Sequence, residues 1–430
     1  MKKPLTILLI VVLVSVLTGC SSPIEEITVG NPSAIKNAPA VNAQKGDWPW
    51  WRGPTLDGKA TGPSPPTSWS EKENVVWSAK VPGRGHATPS VFGNQVFVAT
   101  ADDNAQTMSL LCYERSSGEP LWSTELHSGG FMHTHGKNSH ASSTPACDGE
   151  RVTAVFMVND GIWVSSVSLD GEILWQKEAG SFKPRHGYGS SPLIHKSLVI
   201  VAGDNDRSGF LAALDRESGE IAWRIARANR SSFGTPVVAD VAGQTQLLLS
   251  GQNEVASYDP ETGKEIWTSE GPASTTANTM VWSGDLVFAS GGYPQRNVMA
   301  IRADGSGEVV WQKKYKGYVP SLLVDDGRLL VVQDDGVARC FAAETGEELW
   351  KQRLGGSGFS ASPVLVGDHI FVPNEAGTMF VFEWGDTFKS VSENQLASGG
   401  FASPVVCGGQ LFIRTADKLF CIAPNQENEE

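Results

Sequence analysis

Between residues 75 and 423 the chain alternates short apolar runs with Gly/Asp turns, and no window carries the period of an amphipathic helix. Eight times a small residue, usually beside a proline, opens such a run: Thr88, Thr144, Ser191, Thr235, the proline-less Thr279, Ser321, Ser362 and Ser403. Seven units then close on a Gly-Glu or Gly-Lys turn and an aromatic, at Trp122, Trp175, Trp223, Trp267, Trp311, Trp350 and a degenerate Phe388. The spacing of roughly forty residues marks a repeat architecture.

Within a unit, Ser362 to Val372 reads as a hairpin, Thr378 to Phe382 as a third strand, and Leu211 to Trp223 as a third strand, tight turn and fourth strand. Four short strands per unit predict a propeller blade. The phase of the repeat predicts closure. An extra closer, Trp77, precedes the first opener, and the last opener, Ser403, has no closer after it. The expected fold is therefore all-β: an eight-bladed β-propeller of four-stranded blades, its ring closed when the N-terminal strand around Trp77 completes the C-terminal blade. In this reading each Trp, Trp77 included, is structural and docks its blade onto the next.

Before the repeats, Met1-Lys2-Lys3 and the apolar stretch Leu5 to Leu17 form an export signal, shorter than the roughly 20 residues of a spanning helix. It ends in Leu17-Thr18-Gly19-Cys20, which resembles a bacterial lipobox, so Cys20 is the expected lipidation site; Ser21 leans toward the outer membrane. The expected divisions are a signal peptide over 1–19, a lipidated Cys and disordered tether over 20–46, a Trp/Pro-rich lead-in over 47–74, the propeller over 75–423 and an acidic tail over 424–430. Three tryptophans in Trp48-Pro49-Trp50-Trp51 are too apolar to remain in water, so the lead-in is expected to pack on the domain.

The formal charge of −13, with no basic run beyond Lys2-Lys3, argues against a nucleic-acid partner. Beyond Cys20 five cysteines remain, at spacings that match no zinc site. They read as single buried thiols, with a Cys407–Cys421 bridge as the alternative.

The closing segment Ala-x-Asp/Glu-x-x-Ser/Thr-Gly-Glu/Lys-x-x-Trp, as in Ala213 to Trp223 and Ser257 to Trp267, resembles the repeat of the pyrroloquinoline quinone (PQQ) dehydrogenases. The resemblance covers roughly residues 75–423. The same repeat builds non-enzymatic propellers, among them the propeller lipoprotein subunit of the outer-membrane β-barrel assembly machinery, which this chain also resembles in its export signal and lipobox. The quinone enzymes use an adjacent Cys-Cys ring, an Asp base and a calcium held by Glu, Asn or Asp. This sequence contains no Cys-Cys pair and no Cys-x-x-Cys-His haem attachment.

The segment before each opener is expected at the mouth of the axial channel. The mouth then holds, as candidate ligand-binding residues, Arg84, His86, Lys137, His140, Arg185, His186, Tyr188, Arg230, Phe233, Asn278, Tyr318, Phe359 and Phe401. An acidic outer ring on the second-to-third strand loops, with Asp204, Asp206, Asp334, Asp335 and Glu375, is expected around them. Arg84, Lys137, His140 and Arg185 form a candidate anion site, and His133, His135 and His140 a candidate metal set. The leading reading is a non-catalytic, lipid-anchored, periplasm-facing envelope propeller that binds a protein or small ligand on this face, in outer-membrane protein assembly. The alternatives are an oxidoreductase using PQQ with calcium, or a metal, in the axial pocket, and a carbohydrate- or cell-wall-binding propeller.

Overall fold

The computed structural model describes residues 24–28, 32–41, 43–356, 358–396 and 398–424; the export signal, Cys20 and most of the acidic tail lie outside them. Eight antiparallel sheets, each with a core of four strands, stand around a common axis. Blade 1 comprises Ser90–Phe92, Gln95–Asp102, Thr107–Glu114 and Pro120–Ser128. Blades 2 to 7 occupy residues 146–181, 193–226, 237–270, 281–313, 323–353 and 364–395 in turn. Blade 8 takes Val405–Cys407, Gln410–Arg414 and Lys418–Ile422 from the C-terminus, and Val75–Lys80 from the N-terminus as its outermost strand. Trp77 lies opposite Cys421 in that pairing, so the ring closes as the half-unit offset predicts.

The repeat motif has a local mechanism. In blade 3 the Asp215 carboxylate accepts the amides of Glu217 (3.1 Å) and Ser218 (2.9 Å), folding the turn between third and fourth strands. Gly219 follows with φ of 74°, a conformation that suits glycine. A Cβ there would meet the Trp175 ring of the preceding blade at 2.6 Å. The indole N–H of Trp175 in turn donates to the Arg216 carbonyl in the same turn, at 3.1 Å. Turn and tryptophan are thus two halves of one joint between blades. Trp77, Trp122, Trp223, Trp311 and Trp350 likewise donate to carbonyls of the next blade, at Arg115, Leu169, Pro260, Ala343 and Gly385. Trp267 departs from this: its indole donates to Gln246 Oε1 (2.7 Å), whose Nε2 donates onward to the Ala303 carbonyl of blade 5 (2.7 Å).

Blade 7 corrects one reading. The register pairs Val381 with Ser392, so Ser392 and not Phe388 stands where the other blades carry the closing Trp. Phe388 packs instead on Trp350, with ring centroids 5.5 Å apart. The vacant joint between blades 7 and 8 is filled from the lead-in. Trp69 is buried there, stacked on Phe371 (6.5 Å, 17°), with its amide donating to Asn394 Oδ1 at 2.9 Å. Ser392 Oγ and Asn394 Nδ2 both donate to the Thr67 carbonyl.

The openers explain themselves at the axis. The amide of each donates to the hydroxyl of the next: Thr88 to Thr144, Thr144 to Ser191, Ser191 to Thr235, Thr279 to Ser321, Ser321 to Ser362, Ser362 to Ser403, and Ser403 back to Thr88, all between 2.8 and 3.2 Å. At the remaining place, the proline-less Thr279, the hydroxyl accepts the Trp51 indole N–H at 2.8 Å.

Trp51 arrives with the lead-in, which crosses the lower face of the ring. Trp48 bridges Val91 of blade 1 through both amides, and the Pro49 carbonyl accepts the Cys147 amide of blade 2 (2.8 Å). Trp50 packs on Ala146 and Ile194 of blades 2 and 3. The buried Arg52 guanidinium donates to Leu322 O (2.7 Å) and Pro363 O (2.8 Å) of the inner rims of blades 6 and 7. A Cβ at Gly58 would fall 2.1 Å from that guanidinium, so the chain turns there on a glycine. Lys59–Ala60 then runs parallel to the inner strand of blade 7.

The expectation of a disordered tether also needs correction. Ile27–Thr28 adds a fifth strand beside Trp223 and Arg224 at the outer edge of blade 3, and Ile35, in a helix over Pro32–Asn37, is buried in the core between blades 3 and 4. Apolar Ile24 and Ile35, packed on the core, supply the burial that a polar, Pro/Asn/Ala-rich composition conceals. All five described cysteines are free and buried, Cys407 and Cys421 included. Burial pushes the thiols of Cys407 and Cys421 up to about 12.

Candidate functional site

The upper face, opposite the lead-in, opens into an axial cavity of about 800 Å³. Its floor is the ring of opener hydroxyls, where the channel narrows to about 90 Å³ above Trp51. The cavity is therefore a blind cup.

Seven of the expected mouth residues line it: His86, Lys137, His186, Phe233, Tyr318, Phe359 and Phe401. His86 lies against Phe401 (4.4 Å between centroids), and His186 lies between His135 (5.6 Å) and Phe233 (6.1 Å). Burial, reinforced by Arg84 and Arg414, pushes His86 down to about 3, so this imidazole is neutral at ordinary pH. His186 is also held below its usual value, first by burial and then by His135 and Arg185.

The other expected residues are spent elsewhere. Tyr188 is buried with its hydroxyl on Ala202 O (3.1 Å), and Asn278 is buried with its amide on Ser290 Oγ, Gly317 O and Tyr318 O; both brace loops from beneath. His140 has one ring nitrogen against Met132 O (2.8 Å) and the other against Asp103 (3.0 Å). Arg185 faces Asp206 at 3.9 Å, and Arg230 is exposed outside the cup. The four cations of the candidate anion site are thus dispersed, and Lys137 is paired with Glu375 at 2.8 Å. Among the described residues no group of three or more His, Cys, Asp or Glu side chains is placed to hold a metal, so His133, His135 and His140 do not converge.

The acidic ring is not simply an outer one. Asp334, Asp335 and Glu375 line the cup itself, together with Lys316 and Ser360, which the sequence reading passed over. Asp334 accepts the Tyr318 amide (3.2 Å) beside Lys316 (3.9 Å), and burial raises its pKa. Glu375 accepts from Ser360 Oγ at 2.7 Å as well as from Lys137. Lys316 stands over the Tyr318 ring at 5.8 Å. The result is an aromatic wall carrying paired charges of both signs, suited to polar contacts with a complementary surface. The residues do not fit the quinone enzymes' group: there is no vicinal cysteine pair, and Glu375 and Asp334 are engaged with lysines rather than gathered round a calcium position.

Comparison with known proteins extends these observations. A curated outer membrane protein assembly factor BamB from Yersinia pestis is 24% identical over 370 residues, covering 79% of this chain and 86% of that protein. The crystal structure of BamB from Moraxella catarrhalis superposes with a TM-score of 0.61 at 15% identity, covering 83% of this chain and 99% of that one. A europium-containing methanol dehydrogenase superposes at 0.65 with 11% identity, covering 91% of this chain and all of that one (100%). Likenesses at such identities speak for the fold alone. The family profile described as outer membrane protein assembly factor BamB matches residues 71–290, 181–338 and 334–427, together nearly the entire ring, and the chain belongs to that family.

Proposed function

We propose that this chain is a non-catalytic scaffold of outer-membrane protein assembly, held in the envelope by a lipid on Cys20 and engaging a protein partner through its upper face. The observation that carries the reading is the family match running through all eight blades, from the closing strand at Val75–Lys80 to Ile422. The upper face supports it: an aromatic cup rimmed by Lys137, Lys316, Asp335 and Glu375 offers the mixture of rings and charge on which interfaces rely. The blind floor leaves a partner loop, or a small ligand, to enter and leave by the same mouth.

The test is genetic and biochemical. Removing the gene should lower the amount of β-barrel proteins in the outer membrane, and an unchanged outer-membrane proteome would overturn the assembly role. Reversing charge at Lys316 and Asp335 together, in the full-length protein, should abolish co-purification of its envelope partner while leaving the circular dichroism spectrum unchanged. Co-purification at the original level would remove the upper face from the reading. Cys20→Ser should release the protein from washed membranes into the soluble fraction.

A further inference from the structure

A second cleft, of about 480 Å³, opens on the same side of the ring between blades 8 and 1. Its walls include Arg84, Gly85, Gly399, Gly400 and Arg414. Arg414 ends the second strand of blade 8 and is only 2% exposed. Its Nη1 donates to Ala87 O (3.0 Å) and Ala99 O (2.8 Å), which staples blade 8 to blade 1. Among the described residues the opposite edge of the guanidinium is unused: Nε is buried without a partner, and Nη2 makes no hydrogen bond.

Gly85 lies against that edge. A Cβ at this position would fall 2.3 Å from Arg414 Nη2, so any side chain there would collide with the free N–H groups. Arg84, next in the chain, is exposed, and among the described residues its guanidinium donates only to the Gly136 carbonyl (2.8 Å). Among the described residues neither guanidinium forms an ion pair, although the chain carries a formal charge of −13. Two unpaired arginines beside a neutral His86 make this cleft cationic, and the one carboxylate in its wall, Glu375, is held by Lys137 and Ser360.

We propose that this cleft binds a small carboxylate, seated on the Nε–Nη2 edge of Arg414 over Gly85 and closed by Arg84. A guanidinium edge presents two parallel N–H groups that match the two oxygens of a planar carboxylate. The wall carboxylate of Glu375 favours a monoanion over a dianion such as phosphate by like-charge repulsion. The cleft adjoins the axial cup, sharing His86, Glu375 and Phe401 with it, but Arg84, Gly85 and Arg414 line the cleft and not the cup, and the proposal does not depend on the assembly role.

The experiment is titration of the full-length protein with acetate and, separately, with inorganic phosphate at matched ionic strength, followed by calorimetry and thermal unfolding. Acetate should bind saturably and raise the unfolding temperature. Arg84→Gln, an exposed change, should weaken acetate roughly tenfold while leaving the ligand-free unfolding temperature unaltered. Gly85→Ala drives a methyl group into the Nη2 edge of Arg414 and should abolish binding; if that variant does not fold, Arg84→Gln carries the test alone. Absence of saturable acetate binding, or an affinity unchanged in Arg84→Gln, would overturn the site. Phosphate binding without acetate binding would overturn the ligand class.

Discussion

Trp69→Ala tests whether the lead-in replaces the missing closer of blade 7. The indole is buried against Phe371 and the apolar residues of blade 8, and truncation would leave a void at the seam where the ring is closed. A tryptophan buries on the order of 200 Å², which at about 25 cal/mol per Å² sets an upper bound near ~5 kcal/mol. Truncations of large buried aromatics cost about 3–5 kcal/mol in practice. Trp69→Phe should be far milder, about 1–2 kcal/mol, because among the described residues the indole N–H of Trp69 has no partner to lose. Hydrogen–deuterium exchange on the full chain gives the readout. Amides of Ser390–Gln395 and Lys418–Ile422 should exchange faster in Trp69→Ala, while Phe210–Asp215, across the ring in blade 3, should be unaffected. Unchanged protection at the seam, or a loss below about 1 kcal/mol, would refute the assignment.

Other expectations follow from the same joints. Trp223→Phe removes the indole bond to Pro260 O as well as volume, so it should cost at least about 1 kcal/mol more than Trp69→Phe in urea denaturation. Gly219→Ala forces a side chain to positive φ against the Trp175 ring and should lower stability by about 1–3 kcal/mol, seen as an earlier urea midpoint. For His86 the folded value, about 3, lies below the unfolded one near 6.5, so the unfolded chain binds the extra proton. Stability from this group is complete above about pH 6.5 and falls as pH drops toward 3, by at most about 1.4 kcal/mol per pH unit; His86→Phe, which keeps the stack on Phe401, should flatten that slope. Thr279→Val removes the acceptor for Trp51 and should raise exchange at the amides of Thr279 and Ser321, with the outer strands unchanged.

Blade number, strand number and ring closure were legible because they follow from period and phase. The alternation around Thr88, the Gly at 219 and the Trp at 223 recur, and recurrence is visible without coordinates. The function of the opener hydroxyls was not, because a serine beside a proline gives no sign that its partner lies one blade further on. Phe388 misled for a related reason: it has the right size at nearly the right spacing, but it lies in the turn before the fourth strand begins at Ser390, and Ser392 takes the closing position. At the mouth, sequence position located the loops and could not say which side chains were already engaged. Lys137 and Arg185 look free in the sequence and face Glu375 and Asp206 in space. Arg414 gave the one overlooked signal, a charge ending the apolar run Leu411-Phe412-Ile413, where burial without a carboxylate needs explanation.

The reach of Arg52 bears on the order in which the molecule can be made. Its acceptors on blades 6 and 7 lie 270 and 311 residues further along the chain, and the stacking partner of Trp69 is equally late. Contacts this distant in sequence form only after a large loop has closed. The first segment of the domain to emerge during synthesis is thus among the last to be seated, after the blades it stitches together exist. Trp48 and Trp50 find surfaces on blades 1 to 3, but until the later blades form Trp51 and Trp69 have nothing to cover, and their withdrawal from solvent signals that the ring is whole.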